Sequence, residues 1–484
     1  MKKFLLLVVA IFISSTIILT GCGDKGLKDN PATNAPVVSN GGMAVLKGDY
    51  LYYVNGFKSY EGLEKDKDNV WGKQVIGSIY RVKVDANNTI SHDEDGFLTK
   101  SEVVVPQIVG TENVCFYIFG DYIYYATPNM QNDKNGNLLN ARSNMCRVNI
   151  DGTDNKVLYT TDTTLTSANW TMFELDGTVY MVVYDGTKIV SINANAKKPS
   201  ATTMASNITS VGLIKTDKYL PTDAINNQTI EGVNNYVYYT RDIKEDDSFY
   251  GMSGNVLARV KLGTTEEEVV CANGSTFAII EAKNDCLYYT KTNANTQNSM
   301  LCKYTLNASR AYNEVNETVI SYATYSNTYI LNKNNENYVG TDIVAVDSSN
   351  NIILISTVNG KTTTKTVYSA TTTITPIGLY GSTLFFIENS KISYVDVTSA
   401  VPTVNIVETN DKTIKTDVAT FFDFDGRNVY FYSAYTPEGG TDANYYLNRT
   451  DLHASDSKSE FVGVFAEGHV PAEPDEDSDE IWIQ

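Results

Sequence analysis

Few residues in this chain are suited to acid–base or metal chemistry. There are three histidines, His92, His453 and His469. Ser91, His92 and Asp93 put the three residue types of a hydrolytic triad in a row, but neighbouring side chains on an extended strand point apart, and triads are assembled by geometry rather than adjacency. A solvated loop is expected there, and the histidines are too few for a zinc centre. "DEDG" at 93–96 and "NDKNGN" at 132–137 offer oxygen ligands beside a glycine, yet neither completes a calcium loop with its terminal glutamate. The G-x-S-x-G elbow, the Walker pattern and the dinucleotide glycine run are absent. Carboxylates are abundant, but nothing selects a pair at the roughly 5 to 9 Å that glycoside hydrolysis uses. The sequence therefore predicts no catalytic residue, no metal site, no cofactor and a chain that is not an enzyme. The alternative is a polysaccharide-acting hydrolase or lyase with converging carboxylates.

Aromatic residues in long connections are the other candidate chemistry. Tyr60 and Trp71 lie in 55–77, Phe249 and Tyr250 in 241–254, and Tyr435 in 434–444; a fourth long connection is 127–143. Exposed rings beside Asn, Asp and Lys suit recognition of sugars, peptides or protein loops. Phe249, which has no polar handle, is the one expected to fold back onto its own loop.

What positions these loops is a repeat. "GDYLYYVNG" begins at 48 and "GDYIYYATPN" at 120, followed by "DGTVYMVVYDG" at 176, "NNYVYYTRD" at 234, "NDCLYYTKT" at 284, a weaker "SNNIILIS" at 349, "YGSTLFFIEN" at 380 and "DGRNVYFYSA" at 425. The turn pairs tolerate the left-handed backbone of a tight hairpin. The following pair of large side chains points to opposite faces of a strand, so both faces are buried. A further strand comes after each, as in "SIYRVKVD" from 78, "NMCRVNIDG" from 144 and "VLARVKL" from 256. With 33 Tyr against 17 Phe and 3 Trp, and no convincing helical periodicity after residue 20, the composition is all-β. Sheets packed on both faces by other sheets make a single β-propeller of about eight four-stranded blades over 37–465, with seven the alternative because the sixth repeat is the least regular. The long connections, each between the second and third strands, then share one face, and those of blades 8, 1 and 2 form a continuous rim.

Val-Tyr-Tyr-Thr at 237–240, Leu-Tyr-Tyr-Thr at 287–290, "IYRVKVD" and "CRVNIDGTD" resemble the repeat core, third strand and turn of low-density-lipoprotein-receptor-type (YWTD-like) propellers. That resemblance implies the propeller architecture and, through similar bacterial surface domains, no defined activity. The receptor-type repeats usually build six blades, fewer than counted here. The Ser-x-Asp-x-Gly-x-x-Trp box of sialidase propellers is missing.

The N-terminus reads as an export signal: Lys2 and Lys3, an apolar run over 4–19, then Leu19-Thr20-Gly21-Cys22, which resembles the bacterial lipobox. The resemblance implies that 1–21 is removed, that Cys22 is lipidated (palmitate among its acyl chains), and that the body is extracytoplasmic and tied to a membrane on the cell surface or periplasmic side. An uncleaved apolar anchor is the other reading. Residues 22–36 read as the lipidated end and a flexible tether, and 466–484, containing "EPDEDSDE", as an acidic disordered tail. The net charge of −19 excludes nucleic acid as a partner. Of the six cysteines, five remain after Cys22, and no two have C-x-x-C spacing. Buried free thiols are the default, with a Cys286–Cys302 disulfide the alternative. The functional expectation is a membrane-anchored binding or scaffolding module for an envelope protein, peptide or glycan. A structural part of an envelope assembly is the further alternative.

Overall fold

The computed structural model describes residues 26–58, 77–94, 96–109, 115–128, 142–163, 169–175, 177–213, 236–283, 286–305, 317–331, 340–358, 361–407, 422–435, 444–454 and 458–463. Its strands form eight antiparallel sheets in chain order: residues 44–105, 116–160, 170–206, 208–271, 275–321, 327–369, 374–406 and 422–461. Each is a blade of four strands, running from an inner strand at the axis to an outer one. The chain is an eight-bladed β-propeller. Because each blade is an up-and-down meander, first-to-second and third-to-outer connections fall on one face, here the turn face. Second-to-third and blade-to-blade connections fall on the other, the long-loop face.

The tyrosine pairs explain why these sheets stack. Tyr124 shares a buried cluster with Trp170 and Met172 of blade 3, whereas the adjacent Tyr125 shares one with Val82 and Val105 of blade 1. Tyr238 and Tyr239 divide likewise between blades 5 and 3. The second tyrosine also ties its own outer strand. Tyr239 donates to Glu267 at 2.7 Å and Tyr289 to Glu317 at 2.5 Å, each 28 residues on; Tyr125 reaches Asn155 at 2.9 Å and Tyr53 pairs with Ser101 at 2.6 Å.

The first tyrosine sits opposite a cation on the third strand: Tyr52 with Arg81, Tyr124 with Arg147, Tyr238 with Arg259, Tyr288 with Lys303 and Tyr430 with Arg449. In three blades a glutamate opposite on the outer strand completes the row, Arg81 with Glu102, Arg259 with Glu268 and Arg449 with Glu460. Two of these arginines donate to main-chain carbonyls of the next blade. Arg147 Nη1 reaches Ala194 O at 2.6 Å, and Arg449 Nη2 reaches Asn88 O at 2.9 Å, across the junction of the last blade with the first. A buried guanidinium bonded in this way to a neighbouring main chain fixes where the next blade sits.

"SNNIILIS" is a correction: it lies on the third strand of blade 6, Asn351–Val358. The second strand is Gly340–Val346, which has no tyrosine pair; an Asp347 side chain bonding the Ser349 and Asn351 amides makes the turn between them look like the repeat's own.

Among the described residues no blade borrows one of its four strands from the other end of the ring; a two-residue strand, Phe57–Lys58, crosses from blade 1 to pair with the blade 8 third strand. The junction is closed by residues 37–42, which run inside it. Val37 and Val38 pair with Lys47 and Leu46 of the blade 1 inner strand. Ser39 Oγ donates to Asp423 of the blade 8 inner strand at 2.6 Å. The Asn40 side chain donates to Ile118 O at 3.1 Å and accepts from Ile118 N at 2.9 Å, and the Gly41 amide and Gly42 carbonyl pair with Phe116, all on the blade 2 inner strand. A Cβ on Gly42 would stand 1.6 Å from Asp423 Oδ2, so a larger residue there displaces the carboxylate that Ser39 bonds. On the turn face, Asn88 Nδ2 donates to Asn428 and Asp451 of blade 8. His92 Nε2 lies 2.8 Å from Phe461 O, so the solvated-loop expectation is corrected: His92 belongs to the blade 1–8 junction. Asp93 turns the other way and accepts from the Phe97 amide, so no triad forms.

Residues 26–36, read as tether, lie across the turn face of blades 1 and 2. Leu27 N donates to Asp151 O, Arg81 donates to Lys28 O and to Asn30 Oδ1, Thr33 Oγ1 donates to Asp121, and buried Lys47 donates to Thr33 O. Cys115, Cys146, Cys271, Cys286 and Cys302 are buried free thiols. Cys286 stands opposite Thr305 and Cys302 opposite Tyr289, so those two do not face each other.

Two outcomes follow. Tyr239→Phe and Tyr289→Phe each remove a hydrogen bond to an outer-strand glutamate and lower stability in urea by about 1–2 kcal/mol, while Tyr250→Phe leaves it unchanged. Burial alone would raise the Asp451 pKa, but Arg427, Asn88 and the His453 amide hold it down to about 2, against 3.8 when unpaired. A folded pKa below the unfolded one means the stabilisation is complete above about pH 4 and is lost as pH falls towards 2. Acid unfolding followed by tyrosine fluorescence therefore steepens in that window, and Asp451→Asn flattens it.

Candidate functional site

The long-loop face carries the connection from Arg241 to Asn255, and buried charge makes it rigid. Arg241 ends the second strand of blade 4 and is 1% exposed. Its guanidinium takes both oxygens of Asp247, at 2.8 and 2.9 Å, and both of Glu267, at 2.9 and 3.1 Å from Nε. Desolvation opposes the charge, but these hydrogen bonds outweigh it and raise the arginine pKa. Asp247 is held below its ordinary value chiefly by Arg241, and it also caps the turn by accepting from Lys244 N at 2.7 Å. Phe249 packs with Ile243 onto the core between blades 3 and 4, as its lack of a polar handle suggests. Gly254 approaches blade 5 so closely that a Cβ would meet Ser275 O at 2.1 Å, and Asn255 bonds the Ser275 carbonyl and the Phe277 amide. What this scaffold leaves in solvent is Tyr250, 62% exposed, and Met252, 52% exposed.

A third exposed group shares this face. Tyr322, 76% exposed, sits in the connection from blade 5 to blade 6, where Ser321 Oγ bonds the Tyr325 hydroxyl and the Ala323 amide. The sequence reading missed it because this connection is short and carries no repeat signal.

Of the other predicted residues, Cys22, Tyr60 and Trp71 lie outside the described residues, as do "NDKNGN", His469 and the tail 466–484. Tyr435 ends the second strand of blade 8, opposite Asn444. The expected junction of the first and eighth loops is partly visible: Phe57 and Lys58, where the first loop begins, pair with Tyr445 and Asn444, where the eighth ends.

Several acids that could suggest catalysis are structural. Asp185 accepts from the amides of Asp162 and Thr163 and from the Tyr159 hydroxyl at 2.8 Å; Glu388 accepts from the Tyr368 hydroxyl at 2.8 Å. Among the described inner-strand residues the carboxylates are Glu174, Glu281 and Asp423, on blades 3, 5 and 8 with no two adjacent. No group of three or more His, Cys, Asp or Glu among the described residues could hold a metal ion.

No protein-family model matches the chain, and no curated protein matches it significantly, so the resemblance to receptor-type repeats and the lipoprotein reading gain no support from these comparisons. Solved structures do match. The chain is similar to a puromycin-hydrolysing peptidase from Mycobacterium tuberculosis, with 10% identity over 71% of this chain and 52% of that one at a TM-score of 0.42. It is similar to the β-propeller domain of the Trilobed protease from Pyrococcus furiosus, with 8% identity over 77% and 93% at 0.37. It is also similar to the periplasmic gluconolactonase of Pseudomonas aeruginosa, with 10% identity over 86% and 96% at 0.33. The chain spans about half the length of the first of these. The expectation of a chain that is not an enzyme is corrected, because these neighbours are peptidases and a lactonase, and it is dropped. The likeness bears on fold alone and carries no activity, substrate or residue to this chain.

Asp247→Asn is expected to loosen the loop. Hydrogen exchange across 242–253 quickens and stability falls by about 1–3 kcal/mol, because Arg241 stays buried with fewer partners. Tyr250→Ala stays within about 0.5 kcal/mol of the parent.

Proposed function

We propose that this propeller is a membrane-anchored, extracytoplasmic recognition module whose long-loop face takes an extended polypeptide. The 241–255 loop carries the reading: buried ion pairs and Phe249 stiffen it, while Tyr250 and Met252 are left to solvent, with Tyr322 on the same face. A loop already rigid loses little entropy on binding, tyrosine brings large contact area on few rotatable bonds, and methionine adapts to varied apolar side chains. The net charge of −19 favours neutral or basic segments over acidic ones. The anchor is supported by the Lys2–Lys3 start, the apolar run and Cys22; acyl chains there add about 0.8 kcal/mol per buried CH₂. Among the described residues no helix is long and apolar enough to cross a membrane. Recognition is the first step of cleavage as much as of capture, so the assay reads both.

The test offers the purified chain from residue 23 a mixed pool of unfolded envelope polypeptides and cell-wall glycans, and follows retention and release of fragments. Polypeptide is expected to be retained. The Tyr250→Ala, Tyr322→Ala double variant is expected to bind at least about tenfold more weakly with an unchanged unfolding midpoint. Retention of glycan alone replaces the ligand class. Retention that ignores both substitutions contradicts the assignment to this face.

A further inference from the structure

We infer that the turn face of the disc lies against the bilayer and that the long-loop face, with Tyr250 and Tyr322, is held pointing away from it. This rests on the anchor at Cys22 proposed above and adds the orientation that the anchor imposes.

The argument is one of reach. Residues 26–36 do not hang free but are fastened to the turn face along their length. Leu27 bonds Asp151 in the third-to-outer turn of blade 2, and Thr33 bonds Asp121 in its first-to-second turn. Gly48, in the first-to-second turn of blade 1, donates to Pro36 O, and a Cβ on it would meet Ala35 at 3.2 Å and Pro31 at 3.3 Å. Arg81, fully buried, grips Lys28 O and the Asn30 side chain. Only four residue steps separate Cys22 from Gly26, a reach of at most about 14 Å.

The two faces are further apart than that. The second strand of blade 5, Cys286–Asn293, runs from one face to the other, and its 8 residues span about 26 Å at roughly 3.3 Å each. With the long-loop face on the bilayer, Gly26 would stand some 26 Å above it, about 12 Å beyond the reach of the tether. With the turn face on the bilayer the tether is ample. A tether spanning the whole of 22–36 would impose no such choice; the docking of 26–36 creates it.

The buried state of the described native cysteines lets one introduced cysteine be labelled selectively. Ala86→Cys places a fluorophore on the turn face, in the exposed connection after the third strand of blade 1, and Tyr322→Cys places one on the long-loop face. Full-length lipidated protein is reconstituted into phosphatidylcholine–phosphatidylglycerol vesicles carrying a headgroup-attached energy acceptor. Flotation is run first, with Cys22→Ser as control. The expected result is flotation of the parent and not of Cys22→Ser, with donor quenching at least about threefold stronger at position 86 than at 322. Flotation with equal or reversed quenching overturns the orientation while leaving the anchor standing. Failure of the parent to float removes the anchor and the orientation with it.

Discussion

The side-chain amide of Asn40 pairs with both main-chain groups of Ile118, as a neighbouring strand would, and the closed ring depends on that contact and its neighbours. A propeller is a strip of sheets bent until its last blade meets its first, and that junction is the one place where chain connectivity does not hold neighbours together. Here, among the described residues, only the two-residue strand Phe57–Lys58 crosses from blade 1 to the edge of blade 8, and the four strands of each blade come from its own stretch of chain. Residues 37–42 instead stand inside the ring and bond the inner strands of blades 8, 1 and 2 in turn. Ser39, Asn40, Ile118 and Asp423 are buried, so a missing partner among them costs about 1–3 kcal/mol rather than being replaced by water.

Around the rest of the ring the same problem is solved by repetition. Each tyrosine pair faces two neighbouring blades, and between blades 2 and 3 a third-strand cation, Arg147, also reaches a main-chain carbonyl across the interface. These contacts are made by strand side chains and by residues at strand ends or in turn-face connections, so the long-loop connections are free to differ. They do: 186–187 is a two-residue turn in blade 3, whereas the matching connection in blade 4 is a stiffened loop that displays Tyr250. The proposed anchoring through the opposite face would leave that display unobstructed, which would join the closure of the fold to the proposed recognition.

The sequence made the propeller legible because the tyrosine pair after a turn dipeptide has one physical meaning, a strand buried on both faces. It also made Phe249 legible, since a ring without a polar group packs inward. Less visible was the single cation in "YRV", "CRV" and "ARV", which reads as solvent-facing until the register sets it opposite the first tyrosine. Residues 26–42 were opaque for another reason. They contain few large apolar side chains, and they dock through main-chain groups and through Asn30, Thr33, Ser39 and Asn40, interactions that hydropathy does not register. His92 and Tyr322 depend on which blades become neighbours, which no local pattern states. Blade 6 misled because an Asp347 turn can precede a third strand as readily as a second.

The most direct measurement is native-state hydrogen exchange on the Asn40→Ala variant, resolved by blade. If 37–42 close the ring, amides of the inner strands Ala44–Lys47, Phe116–Phe119 and Phe422–Phe424 lose protection together, while those of blades 4 to 6 keep the parent's rates. Uniform loss around the ring, or none at these three strands, would contradict the account.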